Sequence, residues 1–367
     1  MCKLLCSASL LAASILLAAP PKDPKKIDAA VRKITKSAIL IDTHNDIPSF
    51  TVDGADIGNS PKTQTDIARL KQGGVGAVFF SVYVASTYVE GNHSANRALQ
   101  MIDTVRQDII DRYPDTFQLA LTADDIVRAH KHHKIAALMG LEGGHAIEDS
   151  PRLLRDYYRL GVRYMTLTHT NTNNWADSSG DINKPEIQHH NGLTPLGKDI
   201  IREMNRLGMM VDISHVADKT FYDALEVSQA PLIASHSSTR ALTDVPRNMT
   251  DDMIRALAKK GGVIQINFYC NFIARPGEPH ATLEDVVAHI DHVRQIAGID
   301  SIGIGSDFDG ITCAPTGLED VSKFPNLTRA LLEHGYSVSD IKKIYGENTL
   351  RLMRQVERVA AKLQKGG

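Results

Sequence analysis

The 367-residue sequence predicts an α/β fold, a (β/α)8 (TIM) barrel carrying a binuclear metal site at the C-terminal ends of its strands. Three observations lead there. Eight short apolar runs, rich in Val, Ile and Leu and continuous rather than alternating, read as strands buried on both faces. Longer amphipathic stretches separate them. Polar residues of ligand type stand at the carboxyl ends of six of the eight runs, and in a barrel those ends converge on one site.

The expected strands are Ala38–Asp42, Ala77–Val82, Ile135–Leu141, Arg163–Thr168, Met209–Ile213, Pro231–Ser235, Gly262–Asn267 and Ser301–Gly305. Between them, Asn96 to Asp111 repeats apolar residues at helical spacing. Thr194-Pro195 opens a helix that runs to Leu207 and closes at Gly208. Thr122-x-x-Asp125 and Ser337-x-x-Asp340 are helix-start signals of the capping-box type. A doubly wound open sheet is the runner-up architecture. The longest stretch without an element is 171–192, which holds Trp175, His189 and His190, and a loop of that length in a compact domain is usually functional.

Composition narrows the function classes. With 43% hydrophobic and 23% charged residues the chain is ordinary globular protein, and a formal net charge of -2 gives no nucleic-acid signal. Lys3 followed by the apolar run Leu4–Ala19 and then Pro20-Pro21 reads as an export signal, residues 1–19, ahead of a single domain over 20–367. The chain is therefore expected in the periplasm or secreted. The alternative is an uncleaved N-terminal segment that keeps it at the membrane. Cys2 and Cys6 fall inside the signal, which leaves Cys270 and Cys313 for one disulfide at most or for inert thiols. The last nine residues are polar, so no lipid-anchor tail is expected.

The chemistry lies at the strand ends. The first run ends in Asp42-Thr-His44-Asn-Asp46, and period-two alternation would put His44 and Asp46 on one side of an extended strand. The third ends at Glu142, with His145 three residues on; the fourth at His169; the fifth at Asp212 and His215; the sixth at His236; the eighth at Asp307 and Asp309. His44, Asp46, Glu142, His215 and His236 make five ligand candidates, one more than a single tetrahedral zinc takes, so two ions sharing Glu142 fit the count. Imidazole and carboxylate without thiolate suit zinc, with manganese, iron or cobalt left open. His145 is expected to pack or to support a ligand, and Asp42 and Asp212 to accept hydrogen bonds behind the ligands. Of the remaining histidines, His130, His132, His133, His189, His190, His289 and His292 are expected on solvated faces.

At these residues the sequence resembles the membrane dipeptidase (renal dipeptidase) family of metal-dependent hydrolases. The likeness runs from about Ile39 to Leu352. It is carried by Asp42-Thr-His-Asn-Asp46, Gly140-Leu-Glu-Gly-Gly144, the block Leu167–Asp177 with its Thr-His-Thr-Asn and Trp-Ala-Asp, and Asp212-Ile-Ser-His-Val216. Further matches are Ser235-His-Ser-Ser238, Arg247-Asn248, Val263–Tyr269 and Gly303-Ile-Gly-Ser-Asp-Phe-Asp-Gly310. The resemblance implies two zinc ions per chain, one on His44, Asp46 and Glu142, the other on Glu142, His215 and His236. It further implies that His169 holds the scissile carbonyl, Arg247 takes the substrate carboxylate with help from Tyr269, Asp307 handles the proton, and the chain is a homodimer. Thr43 stands where the family commonly has glycine, and the segment 178–191 departs from the pattern, which bears on pocket shape.

The leading reading is an exported zinc dipeptidase for substrates with free amino and carboxyl ends, extending to a D-residue at the second position. One alternative is an amidohydrolase acting on another small carboxylate-bearing amide, such as an N-acyl amino acid or a β-lactam. The other is a metal-loaded binding protein without turnover, against which Asp307 argues, because binding alone needs no proton-handling carboxylate.

Overall fold

The structure, a computed structural model, describes residues 23–278 and 280–366. The expected export signal, residues 1–19, lies outside the described residues. Nine strands form one parallel sheet: β1 Leu40–Asn45, β2 Val75–Tyr83, β3 Phe117–Leu119, β4 Ile135–Glu142, β5 Val162–Thr166, β6 Met210–Asp212, β7 Ile233–Ser237, β8 Val263–Ile266 and β9 Ile302–Ile304. Pairing runs β2-β1-β9-β8-β7-β6-β5-β4, and β2 also pairs with β4, so eight strands close on themselves. The barrel is the one expected. The added strand, β3, lies against the first half of β4 outside that ring.

Parity along the strands divides the core in two, as alternating side chains require. Ile41, Ala77, Phe79, Ala136, Leu138 and Tyr164 point to one cluster, which also takes in Leu352, Met353 and Val356 of the C-terminal helix. Their neighbours Leu40, Val78, Phe80, Ala137 and Met139 join the larger cluster packed against the surrounding helices. Most of these residues are fully buried, and each large one contributes about 1.5–3 kcal/mol of transfer free energy. Both faces of the strands are apolar for this reason, which is why the runs read as continuous.

The start signals behave as their chemistry predicts. Thr122 with Asp125 and Ser337 with Asp340 form reciprocal capping boxes. Thr194 caps the helix Pro195–Leu207 through the Gly197 N–H, and Gly208 ends it at φ 88°. The stretch expected as one helix over 96–111 is α-helical through Ser94–Thr104 and then widens to a π-helical turn over Val105–Asp111. Cys270 and Cys313 form a disulfide that ties the loop after β8 to the loop after β9. Among the described residues no helix is long and apolar enough to cross a membrane. One expectation fails: His289 is not on a solvated face but is 1% exposed, accepting the Thr239 N–H at Nδ1 (3.1 Å). It sits on the buried side of the helix Leu283–Ala297, where an imidazole satisfies the polar start of the loop after β7.

Candidate active site

The strand ends bring the expected residues into one cluster. Asp46 is not itself on the strand; β1 stops at Asn45, and Asp46 begins the short helix Ile47–Thr51. The pair nevertheless meets, with His44 Nε2 3.2 Å from Asp46 Oδ2. Glu142, the last residue of β4, divides its two oxygens. Oε2 lies 3.5 Å from His44 Nε2, whereas Oε1 lies 3.1 Å from His215 Nε2 and 3.3 Å from His236 Nε2. His215 and His236 face each other Nε2 to Nε2 at 2.9 Å.

This donor set fits a pair of cations. His44 Nε2 and Asp46 Oδ2 are buried without a hydrogen-bond partner, a costly arrangement unless something positive stands between them. Burial, with the nearby Arg247 charge adding to it, holds His215 and His236 well below the ordinary histidine range, so both rings are neutral and carry a lone pair. Burial acts the same way on His44, but Tyr164, Glu142 and Asp46 outweigh it and lift that ring well above its usual range. A proton there does what a cation would do. Glu142 stays ionised despite its burial, chiefly because of the charge on the neighbouring His44 ring.

Buried partners fix the ligands from behind. Ser235 Oγ donates to Asp212 Oδ2 (2.6 Å) and receives His236 Nδ1 (2.8 Å), which leaves His236 Nε2 for the site. Asp212 also accepts from Thr166 Oγ1 and from the Ser235 N–H. Asp42 does the same work on the other side, taking the Ser306 hydroxyl and N–H at 2.6 and 2.8 Å; burial pushes its carboxyl up to about 6. His145 stays out of the cluster and donates from Nε2 to the Val84 carbonyl (2.9 Å).

A cavity of about 420 Å³ opens over the cluster, lined by Asp46, Glu142, His169, His215, His236 and Asp307, with Phe50, Tyr83, Tyr269, Phe272 and Ile311 forming its apolar walls. His169 Nε2 is 4.0 Å from Glu142 Oε1, and burial keeps the ring neutral. Thr170 Oγ1 lies 3.2 Å from His169 Nδ1, and a hydroxyl that donates there leaves the ring proton on Nε2. Asp307, held at φ 64°, lies 4.0 Å from His44 Nε2 and accepts from Asn267 Nδ2 (2.8 Å). Burial pushes it up to about 8, and cations at the neighbouring ligands would return it to the ionised form. Arg247 is anchored by Ser237 Oγ (2.7 Å) and the His236 carbonyl (2.6 Å), with its Nε buried and unpaired.

Residues 28–367 match the model of the membrane dipeptidase family, Peptidase family M19. The chain belongs to this family. It is a metallodipeptidase, a hydrolase. The dipeptidase is 41% identical over 352 residues to dipeptidase verJ of Clonostachys rogersoniana, covering 91% of this chain and 88% of that one. It is 45% identical over 307 residues to dipeptidase tcpJ of Claviceps purpurea, covering 82% and 71%. Among solved structures, a metallopeptidase from Rhodobacter sphaeroides liganded with a phosphinate mimic of L-Ala-D-Ala superposes with a TM-score of 0.77 at 27% identity, covering 87% of this dipeptidase and 100% of that chain.

Three residues that bear on the site of this dipeptidase escaped the sequence reading. Tyr83 ends β2 and lines the cavity, although the second run carried no ligand-type residue to draw attention. Asn267, just past β8, orients Asp307. Tyr164 looks like an ordinary strand aromatic yet reaches His44 Nδ1 at 2.7 Å. Neutral side chains at strand ends were the available signal for the first two.

Proposed function

We propose that the chain is a zinc-dependent dipeptidase that cleaves dipeptides with free amino and carboxyl ends by means of two ions sharing Glu142. The observation that carries this reading is the division of Glu142, with Oε2 toward His44 and Oε1 toward His215 and His236. In this reading His44 and Asp46 hold one ion and His215 and His236 the other. An all-imidazole and carboxylate donor set suits zinc. When bound, the pair supplies Lewis acidity, polarising the scissile carbonyl and acidifying the attacking water.

The remaining steps belong to side chains. Arg247, which burial lowers only to about 10, stays charged and receives the substrate carboxylate through its free N–H groups; its guanidinium lies 5.6 Å from the ring of Phe272, which lines the cavity together with Tyr269. His169 donates from Nε2 to the carbonyl oxygen as negative charge builds there. Asp307 takes the proton of the attacking water and returns it to the departing amine. Extension to a D-residue at the second position is supported by the L-Ala-D-Ala mimic held by the Rhodobacter sphaeroides relative. The apolar run Leu4–Ala19 and the Cys270–Cys313 disulfide support export to an oxidising compartment. A hydrolysis screen of zinc-loaded protein over L,L and L,D dipeptides, with N-acyl amino acids alongside, tests the reading. Turnover of free dipeptides is expected; turnover confined to the N-acyl compounds would overturn it.

A further inference from the structure

Tyr164 stands on β5, yet its hydroxyl serves β1, reaching it through the barrel interior. The ring can cross because Gly140, its neighbour on β4, has no side chain; a Cβ there would sit 1.9 Å from Tyr164 Cζ. Phe79 of β2 packs against the ring at 5.4 Å between centroids. The side chain is fully buried, and its hydroxyl makes two contacts, one to His44 Nδ1 (2.7 Å) and one to the Thr43 carbonyl (3.1 Å).

Those two contacts decide where protons sit. A backbone carbonyl can only accept, so the phenolic hydrogen goes to Thr43, and the phenolic oxygen is left to accept from His44 Nδ1–H. A neutral imidazole protonated at Nδ1 carries its lone pair on Nε2. Nε2 is the atom that faces Asp46 and Glu142 without a hydrogen-bond partner. If the hydroxyl turned to donate to Nδ1 instead, the Thr43 carbonyl would lose that bond and the ring proton would move to Nε2, blocking the ligand position.

We infer that Tyr164 is a positioning residue that selects the metal-ready tautomer of His44, the counterpart on β1 of what the Ser235–Asp212 pair does for His236. This rests on the two-ion reading of the site. Tyr164→Phe keeps the ring and its packing against Gly140 and removes only the hydroxyl. Zinc affinity is measured on the full chain by equilibrium competition with a graded chelator, which requires no turnover, and Ser235→Ala is measured in parallel. The expected result is a split. Tyr164→Phe should weaken one ion about 10- to 100-fold, the usual cost of losing a partner behind a metal-bound histidine, and leave the other within about threefold. Ser235→Ala should weaken the opposite ion. Both affinities unchanged in Tyr164→Phe would make the hydroxyl irrelevant to ligation and overturn the inference. So would equal weakening of both ions, because that is the signature of general destabilisation. A wild-type chain that holds a single ion would instead remove the two-ion reading itself, which keeps the two failures distinct.

Discussion

Removing Arg247 tests how the enzyme recognises a free carboxyl end. The guanidinium spends one N–H of Nη1 on Ser237 and one of Nη2 on the His236 carbonyl, and its Nε–H has no partner. Of five N–H groups, three are thus left, and a carboxylate takes two of them in parallel. Hydrogen bonds to a charged group are worth about 1.5–3 kcal/mol. Arg247→Ala should therefore cost about 2–3 kcal/mol in transition-state stabilisation, roughly a hundredfold in kcat/KM. The assay compares one dipeptide with its C-terminal amide on both enzymes. Part of any loss will be shared, because Arg247 also holds the backbone of the His236 ligand, and the double comparison removes that part. The free dipeptide should suffer far more than the amide, with zinc content unchanged. Equal losses on the two substrates would refute the carboxylate role.

Two further outcomes follow from the same geometry. Asp307→Asn keeps shape but cannot take or return a proton, so kcat should fall by about 10²–10⁴ with metal content retained; loss of a full metal equivalent would make Asp307 a ligand, and near-normal turnover would end the proton-transfer role. His289 is pushed down to about 4 by burial, so between the unfolded value of 6.5 and that point the unfolded chain binds more protons than the folded one. Stability contributed above pH 6.5 is then lost as pH falls through this window, by up to about 1.4 kcal/mol per pH unit for this ring. Urea midpoints measured across the window should fall less steeply for His289→Gln than for wild type, and an identical slope would contradict the assignment.

Much of this was legible in the residues, for physical reasons. Strands buried on both faces leave continuous apolar runs, and all eight barrel strands announce themselves that way. β3 does not, because it pairs with β4 outside the closed ring and only Phe117 of its residues is buried, with the polar Gln118 at its centre. The ligand set was legible because a parallel barrel forces strand ends together, so residues far apart in sequence could be grouped by position alone. What supports the ligands was less visible. Nothing in Val162-Arg-Tyr-Met-Thr166 says that Tyr164 spans the barrel, since that depends on Gly140 opposite it, a pairing that exists only once the strands are in register. Asp46 was placed on the strand by periodicity, but the chain turns into a helix at that residue and still presents its carboxylate to His44. The burial of His289 did leave a trace in the sequence, since Val286 and Val293 share its face of the helix and Val287, Ala288 and Ile290 flank it.

Metal stoichiometry tests most directly whether Glu142 holds two ions at once. Wild-type protein, His236→Ala and Glu142→Ala are each reconstituted with zinc, dialysed against a weak chelator and analysed for metal per folded chain. About two ions are expected for wild type, about one for His236→Ala and close to none for Glu142→Ala, because Glu142 turns one oxygen to His44 and the other to His215 and His236. One ion or fewer in wild type, or a full ion retained by Glu142→Ala, would contradict it.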